Sequence, residues 1–110
     1  MEINKKYKIN NLKGVLSNGK WIYLRKDKKI KGKNYNIDIE ICRADLNFSE
    51  DKDTGERYFL RIESYDNRYP GDKDGGTIID ERLIFKKLEA VIDYLDKKAF
   101  LKKGDWIINE

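Results

Sequence analysis

A chain of 110 residues with a formal net charge of +4 and 40% Asp, Glu, Lys and Arg is the size of one domain with one modest core, burying roughly two thirds of its unfolded surface. Fourteen isoleucines and thirteen aromatic residues exclude the disorder that so many charges would otherwise suggest. The lack of histidine and the single cysteine, Cys42, exclude Ser/His and Cys/His nucleophiles, imidazole proton shuttles, histidine or multi-cysteine metal sites and an intramolecular disulfide.

No apolar run approaches the roughly 20 residues that span a bilayer, and the first residues lack the apolar stretch of a signal peptide. A folded, very soluble cytoplasmic protein with no membrane contact is the expectation. The first seven residues are polar and expected to be loose. Ile9 to Leu16 is readable as a first strand, Asn18-Gly19 as a two-residue type I′ turn, and Trp21 to Lys26 as the returning strand. That hairpin would set Val15 opposite Ile22 and lay the Tyr23 ring over Gly14.

Arg25 to Lys33 (RKDKKIKGK) is too densely basic to be buried. It is expected as an exposed hairpin tip or loop, with Gly32 at the bend. Tyr35 to Leu46 has the cleanest alternation in the chain: Tyr35, Ile37, Ile39 and Ile41 on one side, Asn36, Asp38, Glu40 and Cys42 on the other. A half-buried strand follows, with Cys42 an incidental thiol on its less buried face.

After a polar connection through Gly55, Arg57 to Tyr65 alternates again, with Tyr58, Leu60 and Ile62 on the buried side. Matching the two apolar faces leaves a choice of registers, and opposite charge favours the one that pairs Glu40 with Arg61. Asp66 to Gly76 holds the only proline and three of the eight glycines, the composition of a long loop. Thr77 to Phe85 has β-branched content suited to a strand, although Asp80 and Glu81 would also cap an early helix. Ile84, Leu88, Val91, Ile92, Leu95 and Ala99 follow one helical stripe, with Gly104 as its stop. Asp105 to Asn109 offers a final strand.

The expected architecture is α+β in a single domain, 1–110. It is an antiparallel β-meander of about five or six strands with one C-terminal amphipathic helix packed on one face.

Two surfaces carry the functional expectations. Residues 1 to 34 hold eleven Lys/Arg and two acidic residues, whereas 35 to 110 hold thirteen and eighteen. In the basic part, Arg25, Lys26, Lys28, Lys29, Lys31 and Lys33 are candidate phosphate or nucleic-acid contacts, with the plain alternative that lysines keep an edge strand from pairing. On the sheet face away from the helix, Trp21, Tyr23, Phe59, Arg61 and Tyr65 have the aromatic and arginine composition of a partner-binding surface. The plain alternative there is a solvated face with cross-strand pairs.

Asp72 to Glu81 superficially matches a calcium loop. Aligning its glycine on Gly76, however, puts Arg82 where a bidentate glutamate belongs, so no metal is expected there. No phosphate loop or nucleophile elbow occurs, and no catalytic residue or cofactor is expected. The reading is a small non-enzymatic binding module that docks on a nucleic acid or a nucleic-acid-handling protein complex as its inhibitor. By analogy of class alone, such chains include phage or mobile-element inhibitors of host defence, anti-CRISPR proteins among them. The alternatives are an immunity- or antitoxin-type protein presenting Asp38, Glu40, Glu50, Asp51 and Asp53 to a basic partner, and a small-ligand sponge using Arg25 or Arg61. An open edge strand also offers a route to a homodimer.

Overall fold

Isoleucine alternating with charge around position 39 makes a strand that is apolar on one side only, and other elements assemble on that side. The computed structural model describes residues 7–30, 32–66, 77–97 and 107–108. In chain order they form β1 (Tyr7–Lys8), α1 (Ile9–Ser17), β2 (Ile22–Ile30), β3 (Lys33–Arg43), the short helix α2 (Ala44–Asn47) and a 3-10 turn at Ser49–Asp51. β4 (Tyr58–Asp66), β5 (Thr77–Phe85), α3 (Leu88–Asp96) and β6 (Ile107–Ile108) follow.

The molecule is α+β, and its main sheet is an antiparallel meander in the order β2-β3-β4-β5. The meander therefore has four strands and not five or six, because the first expected strand is helical and the last lies elsewhere. β6 pairs in parallel with β1 as a separate two-stranded unit. Thr77 to Phe85 is a strand throughout, so Asp80 and Glu81 cap no helix.

The inner face of the sheet carries Ile22 and Leu24 from β2, Ile37, Ile39 and Ile41 from β3, and Tyr58, Leu60 and Ile62 from β4, all buried. Leu12 and Leu16 of α1 and Leu88, Val91, Ile92 and Leu95 of α3 are buried in the same hydrophobic cluster. Each such side chain contributes about 1.5–3 kcal/mol relative to exposure, so this cluster holds the elements together. A Lys13–Glu89 ion pair at 3.1 Å joins the two helices on their exposed sides. Ile84, expected on the α3 stripe, belongs instead to β5 and is 49% exposed. Ala99 and Gly104, like the Asp66 to Gly76 loop beyond Asp66, lie outside the described residues.

The Asn18-Gly19 hairpin is replaced by a helix and its stop. As a strand, residues 9–16 would present Ile9, Asn11, Lys13 and Val15 on one side and Asn10, Leu12, Gly14 and Leu16 on the other, so neither face would be apolar. As a helix they bring Leu12 and Leu16 onto one side, both fully buried. Gly19 then ends the helix in the left-handed region at φ +78°, its N–H donating to Leu16 O at 3.0 Å. Asn-Gly supplies positive φ to a hairpin and to a helix terminus alike, and only the preceding periodicity separates the two. Gly14 is an exposed helical residue whose added Cβ would meet nothing within 4 Å, so no tyrosine covers it.

β3 stops at Arg43, before the expected Leu46, because Asp45 clasps the chain there. Arg43 Nε and Nη2 donate to the two Asp45 oxygens at 2.8 and 2.7 Å, and the Arg57 backbone N–H donates to Asp45 Oδ1 at 3.1 Å. The Arg43 hydrogen bonds, reinforced by that N–H, hold the Asp45 carboxyl below the usual carboxylate range. Arg43 lies 5.7 Å from the Tyr58 ring centroid, and Tyr58 donates to Glu56 Oε2 at 2.6 Å. Burial, then the Glu56 hydrogen bond, raises the Tyr58 pKa.

Two outcomes are expected. In denaturant unfolding, Gly14→Ala should gain about 0.5–1 kcal/mol while Gly19→Ala should lose about 1 kcal/mol; a neutral or destabilising Gly14→Ala would contradict the helix. Asp45's pKa is lower folded than unfolded, so its stabilisation is full above the unfolded value near about 3.9 and is lost as pH falls through the folded value. Asp45→Asn should therefore cost about 1–3 kcal/mol at neutral pH and flatten the acid limb of a stability–pH curve.

Candidate functional site

Residues that alternate with the core positions form the outer face of the sheet. The register sets them in rows: Tyr23–Glu40–Arg61–Arg82, Arg25–Asp38–Glu63–Asp80, and Cys42–Phe59–Ile84. Trp21 immediately precedes β2 at the last of these rows. Apolar residues therefore gather at one end and charges at the other.

At the apolar end Trp21 stacks on Tyr23 with centroids 6.0 Å apart and planes at 12°. It also meets Phe48 and Phe59 edge-on at 5.9 Å each, and Phe48 and Phe59 meet at 5.2 Å. These are favourable aromatic geometries. Phe48 reaches the group from the end of α2; its signal in the sequence was one aromatic residue inside a polar connection. The four rings are half-buried, and the two large apolar side chains most exposed among the described residues, Leu46 at 51% and Ile84 at 49%, lie close by in chain and register.

Cys42 sits in this row opposite Phe59 and is fully buried, contrary to the expectation that it lay on the less buried side. The aromatic cluster makes a second, smaller apolar layer on the outer face. Burial, and secondarily the Glu40 charge, pushes the Cys42 thiol up to about 12, so it is an unreactive packing residue.

In the middle of the face the carboxylates are neutralised by neighbours. Arg25 Nε donates to Asp38 Oδ1 at 2.8 Å. Arg61 bridges two carboxylates, with Nη1 3.3 Å from Glu40 Oε1 and Nη2 2.7 Å from Glu63 Oε2. The expected Glu40–Arg61 pairing is thus the register adopted. Glu63 is only 5% exposed, so Arg61 stands here as the counter-ion of a buried carboxylate. β5 lies differently: Arg82 is opposite Arg61 and Asp80 opposite Glu63, like beside like.

The basic stretch is not a loop. Most of it is β2, followed by a tight return at Gly32, which has φ +81°. Strand geometry divides the cations between two faces: Arg25 and Lys29 alternate with Tyr23 on the outer side, whereas Lys26 is half-buried opposite Ile37. In backbone register Lys28 faces Tyr35 and Lys33 faces Ile30; Lys31 lies outside the described residues. Tyr65 pairs with Asn36 in register, on the row beyond Glu63. Of the acidic set, Asp38 and Glu40 are held in the sheet by arginines, while Glu50 and Asp53 are exposed in the β3–β4 connection.

Comparison with protein-family models, with curated proteins and with solved structures gave no significant match. Among the described residues no group of three or more Cys, Asp or Glu is placed to hold a metal ion, and no helix is long and apolar enough to cross a membrane. An open groove of about 540 Å³ beside α1 is lined by Asn10, Asn11, Gly14, Val15, Asn18 and Lys20. It includes neither Arg25 nor Arg61, the cations expected to hold a small ligand.

Cys42 reports on the aromatic layer. In the native protein the thiol should resist alkylation at pH 8, and Phe59→Ala should speed labelling at least several-fold while the far-ultraviolet dichroism stays native. Equal labelling rates in the two proteins, followed by mass spectrometry, would show that the cluster does not cover it.

Proposed function

We propose that this chain is a small non-enzymatic binding module that docks its outer sheet face on a nucleic-acid-handling complex and so obstructs it. One observation supports this reading most: a single edge strand, β2, carries stacked aromatics and exposed cations on the same face. Trp21 packs on Tyr23 and meets Phe48 and Phe59, and Arg25 and Lys29 continue the same side toward the hairpin tip. Cations of this kind attract phosphate at long range and are tolerant of sequence. Half-buried aromatics with exposed aliphatic neighbours supply desolvated contact area for a protein surface.

The division of labour differs from the composition-based expectation. Arg61 is committed to Glu40 and Glu63, so in this reading it maintains the face and does not anchor a partner. Contact falls to Trp21, Tyr23, Leu46 and Ile84, with the exposed Lys29 steering approach and Arg25, itself paired with Asp38, beside it. The immunity-type alternative has weaker support, because, within the acidic set it relies on, Asp38 and Glu40 are already engaged and the exposed members are Glu50 and Asp53 of the β3–β4 connection.

Capture from native host lysate, with and without nuclease and at low and high salt, tests the reading. Joint change of Lys26, Lys28, Lys29 and Lys31 to Glu should reduce capture roughly tenfold or more at low salt, and Ile84→Glu should reduce it at high salt. In binding to a bare oligonucleotide, each lysine in contact with phosphate should contribute about 0.9 to the salt slope. Undiminished capture by both variants would refute the reading, and loss only on joint change of Glu50, Asp51 and Asp53 to Lys would replace it with the immunity-type one.

A further inference from the structure

The two edges of the sheet are built differently. β2 carries Arg25, Lys26, Lys28 and Lys29 against one acid, Asp27, the lysine-rich composition that keeps an edge from pairing with another copy. β5 reads TIIDERLIF and has no lysine. Its charges stand together in the middle as Asp80, Glu81 and Arg82, with apolar residues on both sides.

Within the protomer the outer-face charges of β5 are placed against their own sign. Arg82 is directly opposite Arg61, and Asp80 is directly opposite Glu63, an arrangement that is unfavourable across a ladder. Both are exposed, and neither has an ion-pair partner among the described residues. Arg61 and Glu63 are bound to each other at 2.7 Å.

We propose that β5 is the edge on which a second copy of this chain adds, antiparallel and about a two-fold axis at Glu81. Residues opposite each other in a ladder share a face, so this register keeps inner face with inner face. It places Asp80 of each copy opposite Arg82 of the other, giving both side chains the ion-pair partners that neither has among the described residues of its own protomer. Backbone position 79 then meets 83, and the irregularity in the β4–β5 ladder near Tyr65 falls outside that segment. Moving the axis to Asp80 or Arg82 sets two like charges on the outer face and loses both ion pairs. The register does bring the two Glu81 positions together on the inner face, where the Tyr94 hydroxyl of each protomer already donates to its own Glu81. The product is one eight-stranded sheet with its lysine-bearing β2 strands at the two outer edges and both outer faces on the same side.

Sedimentation of the full chain over a micromolar concentration series, with charge exchange at the two positions, tests this. The unaltered protein should pass from monomer to dimer. Asp80→Arg and Arg82→Asp, each alone, should weaken the dimer roughly tenfold or more by opposing like charges, and the two together should restore it. Each single change also puts an opposite charge beside Glu63 or Arg61 in its own sheet, so monomer thermal stability should be kept or raised. A protein that is monomeric throughout, a dimer indifferent to both single changes, or a double exchange that fails to recover it would each overturn the proposal.

Discussion

Two carboxylates on the central strand, each met by an arginine from a different neighbour, set the geometry of the sheet. Asp38 is bound by Arg25 of β2 and Glu40 by Arg61 of β4. The same strand buries Ile37, Ile39 and Ile41 on its other side. A slip of one residue would turn those isoleucines to the outer face, and a slip of two would leave only one of the two arginines opposite a carboxylate. Hydrophobic burial supplies most of the stabilisation and has no direction of its own; the ion pairs, worth little individually at a surface, choose among the registers that burial alone would permit.

The strands were legible in the sequence wherever one face is apolar and the other charged. Period two at Tyr35–Ile41 and Tyr58–Ile62 located β3 and β4, and the Glu40–Arg61 choice followed from charge alone. Helix α1 was not legible by the same route, because the Asn18-Gly19 dipeptide is a strong hairpin signal and nine residues are few for a helical pattern. The deciding fact was negative: neither alternating face of residues 9–16 could have been buried. Ile84 was misassigned for a related reason, its spacing from Leu88 fitting a helix as well as the final row of a strand.

The candidate face was less legible than the fold. Its aromatic members on β2 and β4 follow from alternation, but the cover over Cys42 depends on Phe48 arriving from a separate connection, and tertiary placement of that kind leaves no periodic trace. Arginine was equally ambiguous, since composition cannot distinguish one that awaits a partner from one, like Arg61, that neutralises a nearly buried carboxylate. The outer face therefore does two jobs. Its middle is closed by internal pairing and keeps the register, and its margins hold the exposed cations and aliphatic groups.

The pairing of β1 with β6 bears on how the chain reaches this state. The meander from β2 to β5 joins neighbours in sequence, so its contacts close short loops and can form early. Tyr7 and Ile107 are instead brought side by side across almost the whole chain. Closure at that distance is entropically the most demanding step in the molecule, and the unit gained is only two residues per strand. It should be the last element to form and the first to open, so its amides would exchange with solvent through local opening while those of β3 wait for global unfolding.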